Sequence, residues 1–220
     1  MKFGQRKARS ITDLIRKRYD RLAPFYDLLE MPVERFRFSS WRIRLKDRVI
    51  GKRALEAGVG TGKNFGYYPL NVEITAIDVS PCMLDRAEKR AQALGLDVGL
   101  WQMDVQELQF PDNSFDTVFA TFVFCSVPDP VLGLRELRRV CKPGGRLLLL
   151  EHMRPESRLL GILFDALNPL IVRITGANIN RRTMDNIRDA GWRIESTENL
   201  SSDIVRWIEA RPWIGVRKKS

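Results

Sequence analysis

The glycine-rich stretch over residues 54–65 places the tightest limit on how this chain can fold. It reads Ala-Leu-Glu-Ala-Gly-Val-Gly-Thr-Gly-Lys-Asn-Phe, with a short apolar run that ends at Glu56 and glycines at Gly58, Gly60 and Gly62. Glycine is needed where a backbone turns with positive φ or passes close to a ligand. A strand, a glycine loop and a helix in succession form the layout of a nucleotide-type cofactor site. The spacing is neither the dinucleotide pattern G-x-G-x-x-G nor that of a P-loop.

Two acids further along the chain indicate the ends of two more strands. Residues 74–78 are rich in β-formers and end at Asp78, sixteen residues after Gly62, and residues 100–105 contain Asp104. In doubly wound sheets the acid that closes the second strand hydrogen-bonds ribose hydroxyls. Ser80 before Pro81 predicts the start of the helix that follows. Together these signals favour a cofactor that contains a nucleoside.

The segment from residue 53 to residue 151 alternates strand and helix patterns, which predicts a parallel sheet covered on both faces. The fourth and fifth strands are expected at Phe115–Thr121 and Leu147–Leu150. A helix over residues 181–190 and a sixth strand over residues 192–197 follow. Because Pro212 cannot donate to a strand ladder, the last strand is expected after it, from residue 213 to residue 217.

The formal charge lies entirely on the first part of the chain. Residues 1–53 hold 16 Lys and Arg against 6 Asp and Glu, whereas residues 54–220 hold 21 of each. Such an uneven distribution of charge along the chain indicates that the basic part binds an anionic partner, either lipid headgroups or nucleic acid. The alternative is a solvated helix face with a basic tail.

The basic region is predicted to be helical after a disordered start over residues 1–9. Apolar residues recur at helical spacing from Ile11, and Pro24 is expected to divide this helix into two pieces. A second amphipathic piece over residues 33–50 carries Phe36, Trp41, Ile43, Leu45 and Val49. Basic helices with aromatic and leucine side chains are typical of segments in a bilayer interface, although helices that pack on their own sheet look the same.

Composition favours one soluble globular domain. The chain has 220 residues, of which 44% are hydrophobic and 29% charged. Cys82, Cys125 and Cys141 have no metal-ligand or disulfide spacing, so a reduced, cytoplasmic compartment and no metal are expected. The N-terminus lacks a signal-peptide pattern. The apolar stretch over residues 159–175 is interrupted by polar residues and is too short to span a bilayer.

The E-x-G-x-G-x-G pattern, with Asp78 and Asp104 at the later strand ends, resembles the motifs of class I S-adenosylmethionine-dependent methyltransferases. Residues 19–27 are similar to the element that precedes the fold in ubiquinone/menaquinone-type enzymes and their phospholipid N-methyltransferase relatives. The resemblance implies a Rossmann-like α/β fold with seven strands, mostly parallel, a C-terminal antiparallel hairpin, helices on both faces and a basic helical extension. One methyltransferase domain over 1–220 is expected, with a basic region (1–52), a cofactor-binding core (53–151) and an acceptor-side part (152–220).

The resemblance also implies S-adenosylmethionine as the cofactor and assigns the residues around it. Asp78 would bind the ribose, Asp104 would lie by the adenine amino group, and apolar side chains would flank the adenine ring. The implied cofactor-binding residues are Glu56, Gly58, Gly60, Gly62, Asp78, Val79, Met83, Asp104, Val105 and Thr121.

Three residues are candidates for contact with the acceptor. Tyr19 and Tyr26 belong to the element that closes over the site in the resembled family, and His152, the only histidine, follows the fifth strand beside Glu151. His152 could take a proton from an ammonium acceptor near neutral pH. Each of the three could instead be a packed residue with its polar atoms satisfied. Methyl transfer from a sulfonium depends mainly on alignment and exclusion of water, so no catalytic triad is needed.

The loop over residues 121–128 bears on the acceptor. It lacks the Asn-Pro-Pro-Tyr type of motif that marks methylation of nucleobase amines, and it is similar to loops of small membrane-associated methyltransferases that act on lipids or thiols. We therefore expect methyl transfer to an amphiphilic acceptor at the inner face of the membrane, with N-methylation of phosphatidylethanolamine favoured. A quinone precursor, a thiol and a soluble small molecule remain alternatives, whereas nucleic acid is disfavoured and the oligomeric state is open.

Overall fold

The computed structural model of the chain describes residues 2–33 and 38–213, with side chains described for residues 11–28 and 38–213. The helices are α1 (Lys2–Val33), α2 (Ser39–Arg42), α3 (Leu45–Arg48), α4 (Pro81–Leu94), α5 (Pro130–Val140), α6 (Arg158–Thr175) and α7 (Thr183–Asp189). The strands are β1 (Arg53–Ala57), β2 (Glu73–Asp78), β3 (Gly99–Gln102), β4 (Phe115–Thr121), β5 (Cys141–His152), β6 (Trp192–Ser201) and β7 (Val205–Pro212).

The seven strands form one sheet in the order β3-β2-β1-β4-β5-β7-β6. Strands β1 to β5 pair in parallel, and β7 lies antiparallel between β5 and β6. This confirms the predicted mostly parallel sheet with a C-terminal antiparallel hairpin. The chain order reverses between β1 and β4, and ligands bind outside the carboxyl ends of the strands at such a point.

Side chains from β5 show that the sheet is buried on both faces. Leu147 and Leu149 pack into the cluster beneath α5 and α7, whereas Leu148 and Leu150 pack into the cluster beneath α3 and α4. Successive strand residues point to opposite faces. A continuous apolar run therefore matches a strand that is covered on both sides, as the sequence predicted.

Helix α4 begins where its sequence predicts. The Ser80 side chain accepts a hydrogen bond of 3.1 Å from the Met83 N–H, and Pro81 occupies the first turn. Gly95 ends the helix in the left-handed conformation with φ of 65°. The cap fixes the backbone that follows Asp78 and so helps to shape the site.

The N-terminal region differs from its prediction. Helix α1 begins at Lys2 and continues through Pro24, so the disordered start and the break at Pro24 are wrong. Proline removes one helical hydrogen bond and favours a kink, but contacts on both sides can hold the helix together. Here Asp20 binds Ser80 and Asp27 binds Thr61, which keeps both halves of α1 against the same surface.

The second basic segment is not one amphipathic helix. It contains α2 and α3, each only one turn long, and Phe36 lies outside the described residues. Leu45 and Val49 are buried in the core, whereas the Ile43 side chain is half exposed. Packing against the sheet therefore accounts for part of this apolar pattern.

The C-terminal strands also differ from their prediction. The last described strand is β7, which ends at Pro212 instead of beginning after it, and residues 214–217 lie outside the described part. Pro212 pairs with Trp192 at the end of the ladder, where the missing N–H costs little. Strand β6 runs to Ser201, and Ser202 with φ of 50° begins the tight turn into β7.

Residues 158–175 form helix α6, whose side chains are mostly exposed. Within the described part of the chain, no helix combines the length and apolar character needed to cross a membrane.

Candidate functional site

The carboxyl ends of β1, β2 and β4, together with the loop after β3, surround one cavity, and α1 lies across it. Ten of the predicted site residues line this cavity: Tyr19, Tyr26, Gly58, Gly60, Asp78, Val79, Met83, Asp104, Val105 and Thr121. Three others, Glu56, Gly62 and His152, are not part of its lining.

The glycine loop is fastened to β2 and leaves space at Gly60. The N–H groups of Gly58 and Val59 donate to the Ile77 carbonyl at 2.8 and 2.9 Å. Gly60 has a φ of +55°, and a Cβ placed on it would meet no atom within 4 Å. At Gly58 a Cβ would come within 2.5 Å of the Val123 side chain. The backbone at Gly60 therefore borders open cavity space, as a loop that carries a ligand requires.

Two backbone donors hold the Asp78 carboxylate in place. The Gly60 N–H donates to Oδ2 at 2.8 Å, and the Ser80 N–H donates to Oδ1 at 2.9 Å. Burial raises the pKa of Asp78, while these backbone donors oppose the rise. The carboxylate is thus oriented in the cavity before any ligand arrives, and its remaining lone pairs suit vicinal hydroxyls such as those of ribose.

Asp104 is oriented in a similar way from the neighbouring loop. Its Oδ1 accepts from the Gln106 N–H at 2.9 Å, and its Oδ2 accepts from the Thr12 hydroxyl at 3.0 Å. The Gln106 side-chain amide also donates to both carboxylate oxygens at 3.0 Å. Asp104 therefore links the cavity to the covering helix.

Helix α1 is held over the cavity at several points along its length. Besides Thr12, the Tyr19 hydroxyl lies 2.6 Å from the Ser126 Oγ. Asp27 near the other end accepts from the Thr61 hydroxyl at 2.6 Å and from Arg90 at 2.8 Å. Burial opposes ionisation of Asp27, but the Thr61 hydrogen bond and the nearby cations lower its pKa.

The two candidate tyrosines belong to this covering helix. Their ring centroids lie 6.3 Å apart, and the Lys63 ammonium lies 5.4 Å from the centroid of the Tyr26 ring. Because both rings line the cavity together with Ser126, they are next to the loop that the sequence assigned to the acceptor.

Glu56 lies beneath the glycine loop in a buried network. Its carboxylate accepts from the Asn64 amide at 2.6 Å and from the Tyr68 hydroxyl. Arg42 Nη1 in turn donates to Asn64 Oδ1 at 2.6 Å and to Thr121 Oγ1 at 2.8 Å. Burial raises the pKa of Glu56 to about 7, although Tyr68, Asn64 and Arg42 all act against the rise. Glu56 thus supports the loop from below and does not border the cavity.

Gly62 supports the loop in another way. It has a φ of +78°, and a Cβ on it would lie 2.5 Å from the Phe65 ring. Its role is to let the chain turn tightly against Phe65.

The sequence pattern did not single out Arg42. It is 4% exposed and yet lines the cavity. It stands among five other basic residues over 33–50, and no local feature distinguishes it from them. Its long-range contacts to Asn64, Thr121 and the Phe122 ring separate it from the surface arginines.

The structure does not bring His152 into the cavity. Its ring stacks on that of Phe122 with centroids 6.4 Å apart, and Phe122 itself lines the cavity. Burial lowers the pKa of His152, which favours the neutral ring. Within the described part of the chain, its Nε2 has no hydrogen-bond partner. The imidazole is therefore adjacent to the cavity wall and not part of it.

Glu151 and Cys125 lie next to His152, and the donor atoms of these three residues are within 4.8 Å of one another. Such a group is of a kind that can hold a metal ion, which the spacing of the cysteines did not predict. Glu151 is fully buried and accepts from the N–H groups of Val123 and Phe124 at 2.8 and 3.0 Å. Burial and the nearby Glu151 charge raise the pKa of Cys125 to about 12, which keeps the thiol protonated.

Comparisons with known proteins agree with this arrangement. Residues 55–149 match the family described as methyltransferase domain. A phosphatidylethanolamine N-methyltransferase of Cereibacter sphaeroides is 41% identical over 119 residues, which are 53% of this chain and 59% of that protein's length. A demethylmenaquinone methyltransferase of Staphylococcus aureus is 30% identical over 218 residues, which are 94% of this chain and 84% of that protein.

A solved structure shares the fold. The crystal structure of a SAM-dependent methyltransferase from Thermotoga maritima, described as a possible histamine N-methyltransferase, is 25% identical. It superposes with a TM-score of 0.68 and covers 89% of this chain and 98% of that one.

Proposed function

Since this chain belongs to the S-adenosylmethionine-dependent methyltransferases, we propose that it methylates a lipophilic acceptor at a membrane surface. The favoured acceptor is the ethanolamine headgroup of a phospholipid. The observation that carries this proposal is the set of exposed apolar side chains on α1, which covers the cavity, and on α6, which contacts α1.

The cavity suits the cofactor. Gly60 leaves room against the backbone, Asp78 is oriented for ribose hydroxyls, and Asp104 stands after the next strand for the adenine amino group. When bound, S-adenosylmethionine supplies a methyl group already activated on a sulfonium, so the protein must mainly align the acceptor and exclude water.

The residues of α1 perform these two tasks in the proposal. The helix covers the cavity and keeps water out, and it carries Tyr19 and Tyr26 against the acceptor-side loop. The Tyr19 hydroxyl, which lies 2.6 Å from Ser126 Oγ, is positioned to orient an amine by hydrogen bonding. His152 does not line the cavity, so in this proposal it affects the reaction only through its ring contact with Phe122.

The exposed apolar surface lies on two helices that touch each other. Arg18 of α1 donates to the Val172 carbonyl of α6 at 2.9 Å. The exposed apolar residues of the two helices are Ile11, Leu14, Phe25, Leu28, Leu159, Leu160, Ile162, Leu163, Leu167, Leu170 and Ile174. We call this set the apolar surface.

Basic residues accompany the apolar surface. Lys17 and Arg21 are exposed on α1, and Arg158 and Arg173 are exposed on α6. Apolar side chains bordered by cations are typical of helices that lie in the interface of a bilayer with anionic lipids. Asn178, just after α6, donates to the Cys125 carbonyl at 3.0 Å, which connects α6 to the acceptor-side loop. A headgroup could therefore reach the cavity while its chains stay in the bilayer.

Quinone C-methylation is the second candidate. It is favoured by the Staphylococcus aureus demethylmenaquinone methyltransferase, whose similarity extends over 94% of this chain. A quinone precursor is also lipophilic, so the apolar surface would serve both reactions.

The test uses S-adenosylmethionine labelled in its methyl group and vesicles of phosphatidylethanolamine and phosphatidylglycerol, with or without demethylmenaquinone. Label on the ethanolamine headgroup in the organic extract is the expected result, and label on the quinone would support the second candidate instead. The Asp78→Ala variant is the background control. If the chain binds the cofactor but the organic extract carries no label, with or without demethylmenaquinone, the result would contradict a lipophilic acceptor.

A further inference from the structure

A second cavity lies between the segment that follows β5, helix α7 and the start of β7. Its volume is about 390 Å³. Sites that bind small molecules usually enclose roughly 300 to 1,000 Å³. Among the described residues, none lines both this cavity and the one covered by α1. The second cavity is therefore a separate place where a ligand could bind.

Cations outnumber anions in the lining of this second cavity. Its acidic residues are Glu156 and Asp185. Its basic residues are Arg154, Arg181, Arg182, Arg188 and Arg206. We call it the arginine cavity. The excess of positive charge in its lining favours an anionic ligand.

Arg206 is the most buried of these arginines, with 6% of its surface exposed. Its Nη2 donates to Glu156 Oε1 at 2.5 Å, but the Glu156 side chain is 73% exposed. Its Nε has no hydrogen-bond partner within the described residues. Charges away from water are normally paired and fully hydrogen-bonded. One exposed carboxylate therefore compensates this guanidinium only in part.

Arg181 is a second guanidinium that is partly withdrawn from water. Its Nη2 donates to the Val127 carbonyl at 2.6 Å, and its Nε has no partner in the part of the chain that the structure describes. Burial lowers the pKa of Arg181, although nearby acidic groups oppose the shift. None of the described carboxylates forms an ion pair with it. Two incompletely compensated cations thus line the same cavity.

We propose that the arginine cavity binds a phosphate group, carried either by a phospholipid headgroup or by a soluble phosphate ester. A guanidinium can donate two parallel hydrogen bonds to a phosphate. A phosphate has enough oxygens to accept from several guanidinium groups, whereas a carboxylate has only two. Thr183 is 2% exposed and also lines the cavity, and its hydroxyl can donate to a further phosphate oxygen.

The arginine cavity adjoins helix α6. Arg154 Nη2 lies 2.9 Å from Asp165 of this helix, and Glu156 stands two residues before its start. Leu159 and Leu160, which are 82% and 44% exposed, belong to the apolar surface defined above. A phospholipid whose chains meet this surface could therefore place its phosphate in the cavity. The headgroup source rests on the proposed function, whereas a soluble ester needs only the cavity.

The test measures the binding of two probes to the full chain. Glycerol 3-phosphate is titrated by calorimetry, and vesicles of phosphatidylcholine with phosphatidylglycerol are tested by co-sedimentation. Arg181→Gln removes charge-assisted hydrogen bonds, so it should weaken the binding of the matching probe by about 10- to 100-fold. Arg193→Gln is the matched control, because Arg193 is 59% exposed, pairs with Glu195 and lies outside the lining. It should change neither affinity by more than about twofold.

The two probes distinguish the two sources of phosphate. A loss for glycerol 3-phosphate alone would identify a soluble ester, and a loss for the vesicles would identify a headgroup. Unchanged binding of both probes by Arg181→Gln, or equal losses in Arg193→Gln, would overturn the proposal. Transfer of the labelled methyl group is measured separately, so a failure of the proposed function can be told apart from a failure of this site.

A measurement on the unchanged chain decides the matter even if Arg181→Gln does not fold. Phenylglyoxal modifies accessible arginines, and mass spectrometry of peptides locates the modified residues. Either probe, when bound, should protect Arg182, which is exposed in the lining of the arginine cavity, but should not protect Arg193. If neither probe reduces the modification of Arg182 relative to that of Arg193, the cavity does not bind phosphate and the proposal is wrong.

Discussion

Thr12 donates a hydrogen bond of 3.0 Å to Asp104, across 92 positions of the chain. The donor belongs to the helix that covers the cavity, and the acceptor is the acid that the family resemblance assigns to the adenine. Gln106 donates to both residues and closes this small network. The covering helix is therefore fastened to the same side chain that a nucleoside would contact.

Replacing Thr12 should weaken the attachment of α1 to Asp104. Thr12→Val keeps the shape of the side chain but removes the donor, so we expect a loss of about 1 kcal/mol in the free energy of unfolding. We also expect S-adenosylhomocysteine to dissociate faster in stopped-flow measurements. Thr12→Ser retains the hydroxyl and should behave like the parent. Identical dissociation rates in all three proteins would show that Thr12 does not restrain the helix.

Asp78 should be needed for cofactor affinity. Asp78→Asn removes the charge and turns one acceptor atom into a donor that faces a backbone N–H, so affinity for S-adenosylhomocysteine should fall by about 10- to 100-fold. Asp112→Asn is the control, because the Asp112 side chain is 67% exposed and lies outside the cavity lining. Calorimetry that finds the same affinity for Asp78→Asn and the parent would remove Asp78 from the site.

Glu151 should make stability depend on pH. Burial raises its pKa from 4.5 to about 7 in the folded chain, so the folded state holds the proton more tightly than the unfolded state does. The contribution of the protonated carboxyl to the free energy of unfolding is therefore fully present below pH 4.5. It is lost as the pH rises through about 7. One pKa unit is worth about 1.4 kcal/mol, so the loss amounts to roughly 3 kcal/mol.

Denaturant unfolding at several pH values, compared with Glu151→Gln, checks this dependence. The variant keeps an oxygen for the Val123 and Phe124 donors but does not titrate. Relative to the variant, the parent should lose stability between pH 4.5 and pH 7, and Glu56 titrates in both proteins and cancels. If the free energies of unfolding of the two proteins change with pH in parallel, the Glu151 carboxyl has the same pKa in the folded and unfolded states, and its pKa is not raised by folding.

Leu159 and Ile174 should contribute to vesicle binding. They are 82% and 68% exposed on α6, so Leu159→Glu and Ile174→Glu should each weaken co-sedimentation with anionic vesicles. Leu70→Glu is the matched control, because Leu70 is 96% exposed but lies outside α1 and α6. If all three variants sediment like the parent, the apolar surface does not meet a bilayer.

Tyr19 should matter more for methyl transfer than His152 does. Tyr19→Phe removes the hydroxyl that meets Ser126 in the cavity, whereas His152→Gln changes a side chain outside the lining. We expect the larger fall in kcat for Tyr19→Phe, with the affinity for S-adenosylhomocysteine unchanged in both variants. A much larger fall for His152→Gln, together with loss of a titration in the pH profile of kcat, would instead identify His152 as the base.

The strand-end residues were predictable because their signals are local. Gly58, Gly60, Asp78 and Asp104 each directly end or follow an apolar run, and the alternation of strands and helices places such ends at one edge of a parallel sheet. The Ser80 cap was predictable for the same reason. These parts of the site needed no knowledge of which distant segments meet.

The parts that could not be predicted depend on long-range contacts. Arg42 is distinguished from its basic neighbours by contacts that include Asn64 and Thr121, which are 22 and 79 positions away. Helix α1 passes Pro24 because residues on both sides of it bind the core. The position of Pro212 is acceptable because it lies at the end of the ladder, which its local pattern did not reveal.

The covering helix also has a kinetic consequence. Its contacts with Asp104, Ser126 and Thr61 are distributed along the cavity, so lifting this helix away from the cavity requires several hydrogen bonds to break together. In enzymes where such an opening precedes ligand exchange, the rate of opening and not the chemical step can limit turnover.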